Sequence, residues 1–124
     1  MRPGAAGRVL MAALSGALAG IFGTALHAHG LELAGLYLLW GPAAALALVL
    51  STSVFVALRF RSAWFAVLAG AGTYLTCGLL SIPRNGYGLI ISGTAGNVWL
   101  YGIAAVAPLA ALLSAWVLRG RRRG

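Results

Sequence analysis

Acidic residues are almost absent from this chain. It has one glutamate, Glu32, no aspartate and no lysine, so nine arginines leave a formal net charge of +8. Paired carboxylates for acid–base catalysis are therefore excluded, and only His27, His29 and Glu32 remain as candidate catalytic or metal-binding groups. We predict a non-catalytic protein that carries no cofactor and no metal.

Cysteine is nearly absent as well. Cys77 stands alone, which excludes an intrachain disulfide and a cysteine-based metal framework.

The arginines lie between apolar runs rather than on a solvated basic face, so nucleic acid is not a predicted partner. No charged side chain falls in the middle of an apolar run, and this excludes the membrane-embedded glutamate on which small multidrug antiporters depend.

Apolar residues dominate what is present. The chain is 61% hydrophobic and 8% charged, with a mean hydropathy of +0.94, which is typical of an integral membrane protein. Four apolar runs, at about residues 9–28, 36–58, 63–82 and 98–118, are each long enough to cross about 30 Å of hydrocarbon. We predict an all-α fold in which residues 1–124 form a single domain, an integral membrane four-helix bundle. The first run also fits a secretory signal peptide, so its cleavage is an alternative.

The arginines predict the orientation of the bundle. Eight of the nine lie on one side of the four apolar runs, with Arg84 alone on the other side. The positive-inside rule then places both termini in the cytoplasm (N-in/C-in), in a multi-pass protein of the cell membrane. Tryptophans lie near the predicted span ends, at Trp40, Trp64, Trp99 and Trp116. We interpret them as anchors in two interfacial belts.

Small residues predict which helices pack most closely. Membrane helices associate where small residues let their backbones approach, because lipid supplies no hydrophobic drive between them. A GxxxG match lies in the first span and a similar spacing in the third; the predicted helix-packing residues are Gly16, Gly20, Gly23, Gly70, Tyr74 and Gly78. We expect these two spans to make the tightest contacts, within one chain or between chains. The phenol of Tyr74 should find a partner inside the bundle.

Two prolines lie inside predicted spans. Pro42 has no N–H for the carbonyl of Leu38, and Pro108 has none for the carbonyl of Ala104. We predict that each proline bends its helix. The bend is either a static kink or a mobile hinge.

A polar segment at residues 83–97 separates the third and fourth runs. It is rich in glycine and other turn-forming residues. The candidate outer interaction surface consists of Glu32, Arg84, Asn85, Tyr87 and Asn97. We expect an ion pair between Glu32 and Arg84 there. A metal site is not expected, because His27 and His29 would point roughly 200° apart on a helix.

The last residues, 119–124, form a basic cytoplasmic tail. Its arginines are Arg119, Arg121, Arg122 and Arg123. We interpret this cluster as a lipid anchor that sets topology and attracts anionic headgroups. A specific anionic-lipid site is the alternative interpretation of the same residues.

Most of the chain resembles a family of proteins, and the most specific likeness lies in the segment between the third and fourth spans and at the start of the fourth. The first span ends in Gly-Thr-Ala-Leu-His, at residues 23–27, and the fourth begins within Gly-Thr-Ala-Gly-Asn-Val-Trp-Leu-Tyr-Gly, at residues 93–102. With the four-span layout, these residues resemble a group of small actinobacterial membrane proteins with no established activity. The resemblance implies the same topology. Asn85 and Gly86 stand where that pattern would have an acidic residue, which argues against a cation-binding loop.

Two functions fit these observations. The first is an accessory or scaffold subunit of a membrane complex, which binds a larger membrane protein or forms a homo-oligomer. The alternative is an oligomeric channel or transporter for a small solute. Its candidate lining is the set of hydroxyl side chains at Ser51, Thr52, Ser53, Thr73 and Thr76.

Overall fold

Four helices make up most of the chain. The computed structural model describes residues 3–27, 31–33, 36–38, 40–83 and 94–124. The helices are α1 (Ala5–His27), α2 (Trp40–Phe60), α3 (Trp64–Ser81) and α4 (Thr94–Arg123). Each is long and apolar enough to cross a membrane, so the predicted all-α four-helix membrane fold is confirmed.

A short hairpin lies between α1 and α2. Its strands are β1 (Leu31–Leu33) and β2 (Leu36–Leu38), which pair antiparallel with Leu31 opposite Leu38 and Glu32 opposite Tyr37. The predicted second span began at residue 36, but the helix begins at Trp40. Hydropathy cannot separate these two structures, because a short apolar run fits a strand as well as a helix.

The two prolines occupy different positions in their helices. Pro42 is in the first turn of α2, where a backbone N–H has no intrahelical acceptor and proline is favoured. The predicted kink at Pro42 is therefore wrong, because it assumed a helix that already included Leu38. Pro108 lies inside α4, where its missing N–H removes the bond to the carbonyl of Ala104.

The fourth helix is longer than the apolar run that predicted it. At 30 residues it measures about 45 Å, which exceeds the hydrocarbon thickness of about 30 Å. Residues 94–97, predicted as loop, form its first turn, and the arginines predicted as tail form its last turns. Cations are favourable at a helix C-terminus, where the macrodipole is negative, so the basic tail continues the helix.

The bundle has two distinct ends. At the arginine end, α1 begins, α2 ends, α3 begins and α4 ends; the opposite end carries the β-hairpin and is called the hairpin end. Around the bundle the helices follow the order α1, α2, α4, α3, and α1 and α4 lie across a diagonal. The predicted cytoplasmic side is the arginine end.

The closest helix pair is α1 with α3. A Cβ atom on Gly16 would lie 1.9 Å from the carbonyl oxygen of Ala69, and one on Gly72 would lie 2.4 Å from that of Ala13. The two backbones are thus in direct contact. Thr73 uses this proximity, because its hydroxyl donates a 2.8 Å hydrogen bond to the carbonyl of Gly16. Small residues therefore allow the contact, and a hydroxyl joins the two helices across it.

The other predicted packing glycines differ in what they face. Gly20 also lies against α3, where its Cβ would be 3.2 Å from the carbonyl oxygen of Thr73. Gly70 instead faces α4, because a Cβ atom on Gly70 would lie 2.7 Å from the Cβ of Ala107. Gly78 has open space, because a Cβ there would meet nothing within 4 Å among the described residues.

Tryptophan placement separates one residue from the other three. Trp40, Trp64 and Trp116 are exposed on the bundle surface, as interfacial anchors would be. Trp99 is fully buried in the core with Ile103. Its interpretation as an anchor is therefore wrong, and its indole has a packing role instead.

The Gly16 contact leads to a direct test. We expect Gly16→Ala to destabilise the bundle by about 2 kcal/mol, since overpacking a tight interface forces the helices apart. The matched control is Gly78→Ala, which should leave stability unchanged or raise it by up to about 1 kcal/mol through helix propensity. Unfolding of the purified variants in mixed detergent and SDS, followed by circular dichroism, measures both effects. Equal stability of the two variants would contradict the α1–α3 contact.

Candidate functional site

A buried polar cluster lies near the hairpin end of the bundle. It consists of Thr24 and His27 on α1, Cys77 on α3 and Trp99 on α4. All four side chains are buried. The cluster joins three helices through buried polar groups.

Trp99 reaches across the bundle diagonal to α1. Its indole N–H donates a 3.3 Å hydrogen bond to the hydroxyl of Thr24, which also lies 3.6 Å from the sulfur of Cys77. The ring packs on Gly23, where a Cβ atom would lie 2.3 Å from the indole. Any larger residue at position 23 would therefore displace Trp99. The glycine predicted to widen a packing strip instead accommodates this ring.

His27 closes the cluster at the last residue of α1. Its Nδ1 donates to the carbonyl oxygen of Thr24, and its ring stacks on Trp99 with centroids 6.4 Å apart and an interplanar angle of 21°. This hydrogen bond satisfies a carbonyl at the helix end that has no intrahelical donor. The ring of His27 thus packs inside the cluster. The side chains of His29 and Glu32, the other two groups considered as metal ligands, lie outside the described residues.

The hydroxyl set considered for a solute pathway does not form a continuous lining. Thr73 donates to backbone carbonyls of Gly16 and Ala69, and Thr76 donates to that of Gly72. Ser51 is exposed on the bundle surface, whereas Ser53 is buried and its hydroxyl has no partner among the described residues. The hydroxyls of Thr73 and Thr76 are therefore used in helix–helix and intrahelical bonds.

A groove on the surface between α3 and α4 is the second feature. It encloses about 290 Å³ in the half of the bundle toward the hairpin end. We call it the α3–α4 groove, and it is lined by Tyr74, Gly78, Ser81, Asn97, Leu100, Tyr101 and Ala104. Most of this lining comes from residues that would face lipid in an isolated bundle.

The groove contains polar side chains without internal partners. Tyr74 is 54% exposed and Tyr101 75% exposed, and neither hydroxyl makes a hydrogen bond within the described part of the chain. The predicted position of Tyr74 inside the bundle is therefore wrong. On α3 the direction toward α1 is taken by Thr73, so the neighbouring residue points outward by roughly 100°.

Two further features leave room and a hydrogen-bond acceptor for a binding partner at the groove. Gly78 leaves open space, and Pro108 removes the regular i+4 donor to the carbonyl of Ala104, a residue that also lines the groove. Asn97, from the predicted outer interaction surface, lies in the first turn of α4 and lines the same groove. The spacing of Tyr74 and Gly78 in the sequence predicts a helix-packing face. It gives no sign that Asn97 lies beside them.

The remaining predicted site residues have these positions. Arg84, Asn85 and Tyr87 lie outside the described residues, as does the side chain of Glu32. The predicted ion pair between Glu32 and Arg84 therefore lies outside them as well. The four arginines of the predicted lipid anchor are exposed on the last turns of α4: Arg119, Arg121, Arg122 and Arg123.

The buried cluster has a measurable signature, because Cys77 is the only cysteine. We expect Trp99→Ala to destabilise the bundle by about 3 kcal/mol and to expose Cys77 to maleimide labelling, since the lost indole fills the space between three helices. The matched control is Trp116→Ala, at a position 74% exposed, which should change stability by less than about 0.5 kcal/mol. Labelling rates in mild detergent give the comparison. Equal rates in the two variants would contradict the packing role of Trp99.

Comparisons with known proteins give this chain no relative. No protein-family model, no curated protein and no solved structure matches it. Its description therefore rests on its own residues. Four long apolar helices, closely packed and joined by buried polar contacts, make this chain a small multi-pass membrane protein.

Proposed function

We propose that this protein is a non-catalytic accessory subunit of a membrane complex, and that its α3–α4 groove binds a transmembrane helix of a larger membrane protein. The observation that carries the proposal is the set of polar groups in that groove. We place the protein in the cell membrane with both termini in the cytoplasm, so that the groove lies toward the outer leaflet.

Polar groups that face lipid are unfavourable. Hydrocarbon offers no hydrogen-bond partner, so a hydroxyl or carbonyl there is stabilised when a neighbouring helix supplies one. Tyr74 and Tyr101 line the groove with hydroxyls that have no partner among the described residues, and Ala104 lines it with a carbonyl that lacks its i+4 donor. A partner helix with serine, threonine, asparagine or glutamine side chains would satisfy them.

Gly78 supports a helix as the occupant. A Cβ there would meet nothing within 4 Å, so the backbone of α3 is open at this point. The same kind of residue, Gly16, brings α1 into direct contact with α3 inside the bundle. A helix that carries a small residue opposite Gly78 can approach just as closely.

Charge favours a different protein over a second copy of this chain. Each chain carries a net charge of +8, and its described arginines gather at one end of the bundle. Two copies side by side in one membrane would bring these ends together, and like charges facing each other oppose association. A partner with acidic residues next to its transmembrane helix, at the arginine end, would be attracted instead.

The test uses a photo-reactive amino acid at Tyr101 or at Gly78, introduced into the full chain in its native membrane. We expect a cross-linked product with one defined membrane protein, identified by mass spectrometry, from both positions. Phe55 is the matched control, because it is 68% exposed on α2 and does not line the groove. It should give no such product.

A second variant separates groove binding from proximity. Gly78→Leu should remove the product formed from Tyr101, while Cys77 stays protected from maleimide and so reports an intact bundle. A product of two copies of the 12.7 kDa chain would contradict the proposal of a different partner. Equal labelling from Phe55 and Tyr101 would contradict the groove as the binding surface.

A further inference from the structure

Three arginine side chains converge on one cavity at the arginine end of the bundle. The cavity encloses about 420 Å³ and is lined by Pro3, Arg8, Arg59, Phe60 and Arg61. Arg8 comes from α1, whereas Arg59 and Arg61 come from the end of α2 and the residue after it. The site is distinct from the arginines on α4, which do not line it.

No internal anion balances these three charges. Glu32 is the only acidic side chain in the sequence, and its backbone belongs to β1 at the opposite end of the bundle. Three guanidinium groups around one cavity repel one another, and an anion bound among them would relieve that repulsion.

Arg8 has an available donor at this cavity. Its Nε atom is buried and has no hydrogen-bond partner among the described residues. A buried donor without a partner is unfavourable, and a guanidinium binds oxyanions through a fork of parallel N–H groups. An oxyanion with several acceptor oxygens would satisfy such donors from more than one arginine.

The turn after α2 holds Arg61 in an unusual conformation. The amide of Ser62 donates to the carbonyl of Ala57 at 3.0 Å, and that of Arg61 to the carbonyl of Leu58 at 3.3 Å. This is a Schellman motif, in which the residue at the position of Arg61 adopts a left-handed conformation and is usually glycine. Arg61 has a φ of 59°, so a long cationic side chain stands where the backbone would favour glycine.

The rest of the lining fits a headgroup near the membrane boundary. Phe60 forms an apolar wall, and its ring packs on Phe65 of α3 with centroids 5.0 Å apart. Such a wall lowers the local dielectric and strengthens the attraction between arginine and an anion. Phosphate monoesters carry a charge of about −1.5 to −2 and three acceptor oxygens, which match three arginines.

From this geometry we propose that the Arg8–Arg59–Arg61 cavity is a binding site for a phosphate group. The same chemistry could come from the headgroup of a phosphate-bearing lipid or from free phosphate in solution. Binding joins the start of α1 to the end of α2. The site is independent of the α3–α4 groove, so the failure of either proposal leaves the other standing.

The experiment measures phosphate binding by the full chain in detergent. In one arm, native mass spectrometry follows the titration of phosphatidic acid, with phosphatidylcholine as the uncharged control lipid. In the other arm, inorganic phosphate is titrated alone and then in competition with phosphatidic acid. We expect one saturable phosphate site per chain. A lipid source is indicated when only phosphatidic acid binds, and a soluble source when inorganic phosphate binds alone and displaces the lipid.

Matched variants assign the site. Arg61→Gly suits the left-handed turn and so keeps the fold, yet it should weaken binding about tenfold, as should Arg59→Gln. Two controls lie on exposed turns of α4: Arg121→Gln, in a cavity lined by α4 residues alone, and Arg122→Gln, which lines neither cavity. Each should change binding by less than about twofold. Protection of Cys77 from maleimide verifies the fold of each variant.

Two results would overturn the proposal. One is the absence of saturable phosphate binding in both arms. The other is equal weakening by the α2 variants and the α4 variants, because diffuse attraction to a basic surface depends on total charge rather than on position. Stability gives a further readout: without phosphate, Arg59→Gln should be at least as stable as the native chain, and with phosphate it should be less stable.

Discussion

The contact between the backbones of α1 and α3 is the constraint on which the rest of the bundle depends. Lipid supplies little hydrophobic drive to bring apolar helices together, so the strength of their association depends on how closely the two backbones approach. Gly16 of α1 and Gly72 of α3 allow this close approach, because neither has a side chain between the two backbones. With the helices so close, the hydroxyl of Thr73 reaches the carbonyl of Gly16, and one side chain joins both helices.

The diagonal between α1 and α4 is filled by a large side chain. Trp99 of α4 crosses the bundle to the one place on α1 where Gly23 leaves room for an indole. Its hydrogen bond to Thr24 and its stacking on His27 then fix the hairpin end of α1. Glycine thus has two uses on α1, close backbone contact at Gly16 and a recess for an aromatic ring at Gly23.

Sequence reasoning predicted the four helices, because length and hydropathy are enough to identify a membrane span. It failed where the direction of a side chain mattered. In a helix that is apolar all round, periodicity does not reveal which face is inside, so Tyr74 was expected in the core and Trp99 at the interface. The prediction of a kink at Pro42 was wrong for a different reason. By hydropathy the three apolar residues of β2 fit the start of the second helix, which would put Pro42 in the helix interior. The spacing of residues in one sequence also carries no information on pairs such as Asn97 and Gly78, which line the same groove only because α3 packs on α4.

The two proposed binding surfaces lie toward opposite ends of the bundle. Arg8 lies eight residues before Gly16 on α1, so the contact that holds α1 against α3 also sets where the guanidinium of Arg8 stands, about 12 Å along the helix. On α2, the Schellman turn determines the place of Arg61, and Phe60 packs on α3 at the same level. The cavity of Arg8, Arg59 and Arg61 therefore results from helix packing and turn geometry, whereas the arginines of α4 line a cavity bounded by residues of that helix alone. Position, more than total charge, distinguishes the two basic groups of this protein.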